Sequence, residues 1–221
     1  MKSDFVFKEV SGNLVYVGDF EGLYQSEADP WGQSATAGVP MDLFYRHSRE
    51  RLASIIELVA PTQKLEILEV GCGHGHSTQD LADRLSMANV IGMDVSHTAI
   101  TEAKRRYPNL DFMHGDIREQ SSTNSTKYDV VVLHQMLWYV LNDLPLVLQE
   151  ARSLLRAKDD SVCLVSQAFP REQRYGKNVF DGYEGAVKYF KSIPGVHLVH
   201  SAYSDFANLP HIDCHFALKF Q

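Results

Sequence analysis

Apolar runs and amphipathic segments alternate along most of the chain. Residues 42–59 carry apolar positions near the 3.6-residue period of a helix, and Pro61 ends that pattern. The apolar runs that follow predict strands at 65–70, 90–94, 111–114, 128–134 and 161–168, and the segments between them predict helices at 77–86, 96–107 and 144–155. Strands that alternate with helices predict a parallel sheet with right-handed crossovers.

The two ends of the chain depart from this alternation. Residues 11–40 are punctuated by Gly and Pro and are rich in aromatic side chains, so we expect irregular structure there. The apolar runs 197–203 and 214–220 are joined by about ten residues without a helical pattern, which predicts an antiparallel hairpin. The expected fold is a single α/β domain, with a mostly parallel seven-stranded sheet, a C-terminal antiparallel hairpin and helices on both faces.

Composition and charge narrow the class of protein. The 221 residues, 44% of them hydrophobic, suffice for one domain with a full core. The formal net charge of −7 disfavours a nucleic-acid partner, because an acidic surface repels phosphates. No apolar run approaches the roughly 18 residues of a membrane span, and the charged residues among the first ten argue against an export signal. Cys72, Cys163 and Cys214 fit reduced thiols, so we expect a cytoplasmic protein.

A glycine-rich turn is the most informative stretch of the sequence. Gly71, Gly73 and Gly75 follow a predicted strand and precede a predicted helix. Glycines let the backbone turn sharply and touch a ligand, and the helix that follows offers free N–H groups. A dinucleotide site would need G-x-G-x-x-G, but His76 stands where the third glycine of that pattern belongs. A nicotinamide-dependent oxidoreductase is therefore the less favoured alternative.

An acidic residue ends the second predicted strand. Asp94 lies 23 positions after Gly71, where a carboxylate can accept hydrogen bonds from both hydroxyls of a ribose. Aspartate also caps helices often, so Asp94 alone would indicate little. Together with the glycine turn, it predicts a site for a nucleoside.

These motifs together resemble a known family. Glu69-x-Gly71-x-Gly73-x-Gly75, Asp94 and His114-Gly115-Asp116-Ile117 look like the class I S-adenosylmethionine-dependent methyltransferases, over about residues 40–170. The resemblance implies a Rossmann-like methyltransferase fold with S-adenosylmethionine as cofactor and S-adenosylhomocysteine as product.

The resemblance also implies roles for individual residues. The glycine turn, with Gly71, Cys72 and Gly73, would underlie the methionine and ribose parts of the cofactor. Asp94 and Val95 would bind the ribose, and Asp116 and Ile117 the adenine. Glu69 would order the turn or meet the cofactor amino group, and His134, at the end of the fourth strand, would line the cofactor and substrate pocket.

A second resemblance concerns the residues before the glycine turn. Asp29-Pro30-Trp31, followed by Tyr45 and Arg49, is similar to nodulation-type and surface-glycan-pathway small-molecule methyltransferases. It implies that an N-terminal segment, residues 1–40, covers the cofactor site of a methyltransferase domain at 41–221. Trp31 and Tyr45 would form a wall and Arg49 would hold the cofactor carboxylate. Alternatively, Trp31 closes the domain edge and Arg49 is a solvated helix residue.

Two loops at the carboxyl ends of the predicted strands are candidates for substrate contacts, because ligands bind at that edge of open α/β sheets. The candidate residues are Gln135, Trp138, Tyr139, Phe169, Arg171 and Tyr175. Two or three of Arg171, Arg174 and Lys177 can hold an anionic group, although a merely solvated loop fits the sequence equally well. Trp138 is alternatively a core residue.

The function expected from these residues is transfer of a methyl group to an oxygen or nitrogen of a small polar metabolite, with a sugar or nucleotide-activated sugar as one candidate. His134 is the candidate general base, because imidazole as a class titrates near neutral pH. A non-catalytic cofactor-binding protein is the other alternative. A monomer or a homodimer is expected.

The histidine pairs of the sequence do not predict a metal site. His74 and His76 lie in the glycine turn without a third ligand nearby. His211 and His215 lie four apart on a predicted strand, which separates them by ~13 Å. We therefore expect no bound metal.

Overall fold

A seven-stranded sheet dominates the part of the chain that the computed structural model describes, which is residues 4–34, 40–61, 64–120, 125–207 and 209–221. Its strands are β3 (Glu66–Val70), β4 (Asn89–Asp94), β5 (Asp111–His114), β6 (Val130–His134), β7 (Val162–Pro170), β8 (Val196–Asp205) and β9 (His211–Phe220). Their order across the sheet is β5-β4-β3-β6-β7-β9-β8. The first five pair in parallel, and β9 runs antiparallel between β7 and β8.

Helices cover both faces of this sheet. They are α1 (Phe20–Ser26), α2 (Pro40–Val59), α3 (His76–Arg84), α4 (His97–Arg106), α5 (Leu144–Leu154) and α6 (Gly182–Ser192). The central strand β6 is buried at every position. Val130 and Val132 pack in the cluster that contains α2 and α3 residues, and Val131 and Leu133 pack in the cluster that contains α5 and α6 residues. This alternation of side chains between two cores explains the continuous apolar run.

The predicted α/β fold is confirmed, including its C-terminal antiparallel strands. The boundaries differ by a few residues: β7 extends to Pro170 and β9 begins at His211. Helix α6 was not predicted, although Ala186 and Phe190 bury one face of it against the sheet. Among the described helices, none combines the length and the apolar character that crossing a bilayer requires.

The expectation of irregular structure over residues 11–40 was wrong for part of that segment. Strands β1 (Phe7–Val10) and β2 (Asn13–Tyr16) form a separate hairpin. Ser11 and Gly12 make its two-residue turn with φ values of 50° and 83°, the positive values that such tight hairpin turns require. Asp19 then begins α1, because its side chain accepts a hydrogen bond from the Gly22 N–H at 2.8 Å. Residues 1–3 and 35–39 of the predicted N-terminal segment lie outside the described residues.

Candidate active site

A cavity of about 510 Å³ opens at the carboxyl ends of β3, β4, β6 and β7. The glycine turn after β3, the acids after β4 and β5, and the end of β6 all contribute to its lining. Parallel strands place the residues that follow them at one edge of the sheet, so sequence-distant motifs meet there. The hairpin β1–β2 and helix α1 supply a further wall.

The backbone of the glycine turn adopts a conformation that side chains rarely allow. Gly71, Gly73 and Gly75 have φ values of 76°, 53° and 81°. The N–H groups of Gly71 and Cys72 both donate to the carbonyl of Met93, at 2.8 and 3.0 Å, which ties the turn to β4. A Cβ at Gly73 would lie 2.5 Å from the hydroxyl oxygen of Tyr24. The turn therefore leaves no room for a side chain at Gly73.

Substitution of Gly73 by alanine is expected to destabilise the protein by about 1–3 kcal/mol, through its left-handed backbone and the close contact with Tyr24. The double variant Gly73→Ala/Tyr24→Phe removes the oxygen that the new Cβ would meet. Chemical denaturation should therefore show that Tyr24→Phe costs less stability in the Gly73→Ala background than in wild type. Simple additivity of the two changes would refute this contact.

Asp94 lies against the glycine turn, and its carboxylate can accept more hydrogen bonds than the protein supplies. Its Oδ2 accepts from the Gly73 N–H and its Oδ1 from the Ser96 N–H, both at 2.8 Å. A carboxylate has about four lone-pair sites, so two remain for ligand hydroxyls. Burial raises the pKa of Asp94 to about 6, against the lowering effect of these two backbone hydrogen bonds.

The affinity for S-adenosylhomocysteine is expected to depend on pH through Asp94. Ribose hydroxyls favour the ionised carboxylate, so the ligand binds the deprotonated form and the affinity falls as the pH drops below about 6. The loss should approach tenfold per pH unit and level off above pH 7. Calorimetry from pH 5 to pH 8 measures this, and Asp94→Asn should flatten the profile. A pH-independent wild-type affinity would contradict the assignment.

Asp116 lines the cavity, but an arginine already contacts its carboxylate. Arg118 donates from Nε to both oxygens of Asp116 at 3.0 Å, and its Nη1 donates to Asp143 at 2.9 Å. Although burial raises the pKa of Asp116, its hydrogen bonds from Arg118 hold it below the usual value. Ile117 beside it is buried. An adenine amino group would therefore share Asp116 with Arg118.

The N-terminal segment is held to the sheet edge by helix α1. Glu21 accepts hydrogen bonds from the Ser96 hydroxyl at 2.6 Å and from the Thr98 N–H at 3.2 Å, at the start of α4. These hydrogen bonds, led by the one from Ser96, lower the pKa of Glu21 to about 2. Tyr24 accepts from the Trp31 indole N–H at 2.9 Å. Trp31 is thus linked to the glycine turn through Tyr24, whose hydroxyl lies close to Gly73.

Aromatic rings from several elements form one side of the cavity. Tyr139 packs with Phe7, Phe20 and Trp31, with ring centroids 6.1, 5.0 and 5.8 Å apart. Tyr45 also lines the cavity, and burial raises its pKa to about 12, so it is a neutral hydroxyl at neutral pH. The wall is therefore apolar apart from its hydroxyl groups.

Strand β6 ends at His134, Gln135 follows it, and both residues line the cavity. Gln135 has a φ of 57°, rare for a residue with a side chain, and its side-chain oxygen accepts from the Ala168 N–H at 2.8 Å. The His134 Nδ1 lies 3.4 Å from Oε1 of the buried Glu69. The imidazole Nε2 has no hydrogen-bond partner among the described residues.

The structure brings most of the predicted site residues to this cavity. They are Trp31, Tyr45, Glu69, Gly71, Cys72, Gly73, Asp94, Val95, Asp116, Ile117, His134, Gln135, Trp138, Tyr139 and Tyr175. The indole N–H of Trp138 donates to the Ala168 carbonyl at 2.9 Å, and its ring packs on the core residue Phe169, so Trp138 serves both core and cavity.

Three predicted site residues do not line the cavity, and this corrects their placement. Arg49 is buried and pairs through Nε with Asp80 of α3 at 2.6 Å. Phe169 is a core residue, because its ring is buried against Phe180 and Phe216. The Arg171 guanidinium donates to the carbonyls of Leu209 and Phe206, both at 3.0 Å, and pairs with Asp205, the last residue of β8.

Other cavity residues were not predicted. Tyr16, Tyr24, Arg118 and His211 line the cavity. The two tyrosines belong to the segment that was expected to be irregular. The high density of aromatic residues there was the one sequence signal for a cavity wall. Arg118 follows directly after the predicted adenine-site residues Asp116 and Ile117. Its ion pair with Asp143 joins residues that are 25 positions apart, which a local sequence pattern does not reveal.

The residues present fit the cofactor that the sequence resemblance implied. A carboxylate with unused lone pairs at Asp94 and an unpartnered buried nitrogen at His134 are groups that a nucleoside with a polar tail can satisfy. Within the described parts of the chain, no cluster of His, Cys, Asp and Glu has the arrangement of a metal site.

Comparison with known sequences agrees with the resemblance. Residues 67–158 match the family model of a methyltransferase domain. The trans-aconitate 2-methyltransferases of Acidovorax ebreus (strain TPSY) and Escherichia coli (strain K12 / DH10B) are 34% identical over 85 residues and 37% identical over 79 residues. The two matches cover 37% and 34% of this chain. They cover 33% and 31% of the relatives, so the chain spans about a third of the relatives' length.

Solved structures share the fold over most of the chain. The N-methyltransferase NodS from Bradyrhizobium japonicum, in complex with S-adenosylhomocysteine, is 16% identical with a TM-score of 0.65, covering 90% of this chain and 98% of that one. The magnesium protoporphyrin IX methyltransferase ChlM from Synechocystis, with the same ligand, is 15% identical with a TM-score of 0.66, covering 90% and 94%. Residues 67–158 thus match the model of a methyltransferase domain, and the chain shares the fold of these methyltransferases over most of its length, in agreement with the resemblance found in the sequence.

Proposed function

We propose that this protein transfers a methyl group from S-adenosylmethionine to an oxygen or nitrogen of a small molecule. One observation carries the proposal: Asp94, Asp116 and the glycine turn between Gly71 and Gly75 meet around a single cavity. The family match over residues 67–158 supports the same reaction. The trans-aconitate 2-methyltransferases support a small-molecule acceptor.

Each part of the cofactor would meet a different part of the wall. Asp94 and Val95 would hold the ribose, and Ile117 the adenine ring, with Asp116 and Arg118 at its polar edge. The backbone of Gly71, Cys72 and Gly73 would lie beneath the remainder. Trp31 and Tyr45 would face it from the N-terminal side, which gives residues 1–40 their proposed role as a cover for the site.

Positioning is the main work left to the protein in such a reaction. The bound cofactor supplies a methyl group already activated on a sulfonium. Holding donor and acceptor in near-attack geometry can contribute ~7–11 kcal/mol to the lowering of the barrier. Tyr139 and Trp31 offer ring faces that attract a cation. Gln135, Trp138 and Tyr175 would contact the acceptor from the loops after β6 and β7.

Calorimetry with S-adenosylhomocysteine, followed by transfer of a labelled methyl group to small molecules, tests the proposal. We expect binding at one site per chain and no comparable binding of NAD⁺. Asp94→Asn serves as the matched control, since it keeps the shape and removes the charge. A protein that binds NAD⁺ but not S-adenosylhomocysteine would refute the proposal, and binding without any transfer would favour a cofactor-binding protein.

A further inference from the structure

A buried carboxylate–imidazole pair, Glu69 and His134, belongs to the lining of the cavity. In the parallel register, Glu69 on β3 is opposite Val132 on β6. His134 lies two residues after Val132, so its side chain is on the same face of the sheet as that of Glu69. Side-chain exposure is 1% for Glu69 and 3% for His134. Oε1 of Glu69 lies 3.4 Å from Nδ1 of His134, and Oε2 accepts a hydrogen bond of 2.6 Å from Thr78.

This pair selects one tautomer of the imidazole. Burial opposes ionisation of Glu69, but hydrogen bonds from His134 and Thr78 hold its pKa below the usual value. An ionised carboxylate only accepts hydrogen bonds, so Nδ1 of His134 must carry the proton that faces Glu69. In the neutral ring Nε2 then has a free lone pair. His134 lines the cavity, and this nitrogen is buried without a hydrogen-bond partner among the described residues.

The charges around the cavity disfavour an anionic acceptor. Two arginines line it, and both are already paired: Arg118 with Asp116 and Asp143, and Arg174 with Glu9 at 3.2 Å. Arg171 is held outside the lining by an aspartate and two carbonyls. A carboxylate brought into the cavity would therefore have to compete for a cation that already has a partner.

We propose that Glu69 is a positioning residue, which holds His134 so that Nε2 takes the proton of an uncharged hydroxyl acceptor. This inference rests on the proposed methyl transfer. The acceptor oxygen forms a bond to the methyl carbon while the sulfur–methyl bond breaks, and that bonding pair stays on sulfur. The hydroxyl proton passes to Nε2, and the Glu69 carboxylate stabilises the imidazolium that results.

A hydroxyl acceptor gains most from this arrangement. An alcohol or phenol is a weak nucleophile until its proton leaves, so a nearby base adds roughly 10²–10⁴-fold to the rate. A carboxylate acceptor is already ionised at neutral pH and needs no base. The neutral tyrosine hydroxyls and apolar rings of the cavity wall suit an uncharged molecule.

The tautomer of His134 tests the positioning role without knowledge of the acceptor. Long-range proton–nitrogen NMR correlations of the ring, assigned with His134→Asn, should show the proton on Nδ1 in the wild-type protein. Glu69→Leu should change this spectrum, while Thr78→Val, which removes the Thr78 hydrogen bond but leaves the Glu69 carboxylate in place, should not. A wild-type proton on Nε2, or a spectrum that Glu69→Leu leaves unchanged, would overturn the proposal.

The product of the reaction tests the acceptor class. Carbon-13 labelled S-adenosylmethionine is incubated with the protein and a small-molecule cell extract, and the carbon chemical shift separates O-methyl from N-methyl products. We expect a methyl ether that survives alkali; an N-methyl product or an alkali-labile methyl ester contradicts the inference. Glu69→Gln should lower kcat for ether formation about 100-fold.

S-adenosylhomocysteine calorimetry on the same samples separates the two proposals. A protein without measurable affinity for S-adenosylhomocysteine would defeat the proposed function itself. Normal affinity combined with the wrong tautomer, or with an ester or N-methyl product, would defeat only the pairing of Glu69 with His134 as a base for hydroxyl acceptors.

Discussion

Asp94→Ala is expected to weaken S-adenosylhomocysteine binding by about 10- to 150-fold, which corresponds to ~1.5–3 kcal/mol for lost charge-assisted hydrogen bonds. The carboxylate keeps two lone-pair sites after accepting from Gly73 and Ser96, and these are the sites that ribose hydroxyls would use. Titration calorimetry at pH 7.5 measures the change directly.

The same substitution also removes two backbone hydrogen bonds, so a fold control is needed. Asp94→Asn keeps an oxygen for one of the two N–H groups and should retain more of the melting temperature than Asp94→Ala, while it still loses affinity. The assignment fails if both variants bind S-adenosylhomocysteine as tightly as the wild type while they remain folded.

Phe216→Ala is expected to cause the largest loss of stability, about 3–5 kcal/mol. Phe216 on β9 is fully buried, and its ring packs against Phe190 of α6 at 5.1 Å and against Tyr183 at 5.6 Å. Truncation leaves a cavity where an antiparallel strand and a helix meet. For a chain of this length, the melting temperature should fall by roughly 6–20 °C.

An exposed residue provides the matched control for this change. Leu58 on α2 is 75% exposed, and Leu58→Ala should alter the free energy of unfolding by no more than about 0.5 kcal/mol. Denaturant unfolding of both variants decides the point. Equal losses for Phe216→Ala and Leu58→Ala would show that the packing of β9 on α6 contributes little.

Local patterns predicted the sheet and the motif residues because both depend on short stretches of chain. The apolar run of β6 reflects burial on two faces, and the acids Asp94 and Asp116 each follow a strand. Parallel strands bring such positions to one edge whatever the details of packing. The sequence therefore predicted which residues meet at the cavity better than how they contact each other.

Local sequence patterns could not predict contacts between segments that are distant in the chain. Arg171 was expected to face the substrate, but Asp205 at the end of β8 and two carbonyls between β8 and β9 hold it elsewhere. Phe169 was misplaced because the predicted strand ended at residue 168, whereas β7 continues to Pro170 and turns Phe169 into the core. The two-residue turn at Ser11 and Gly12 was a usable hairpin signal.

Helix α1 joins the edge of the sheet through Glu21, yet none of its residues belongs to a strand of that sheet. A shortened protein that starts at Met41 would keep all seven sheet strands and lose the side of the cavity that contains Tyr24 and Trp31. Where the chain is cut, or where a purification tag is attached, should therefore affect ligand affinity far more than resistance to denaturant.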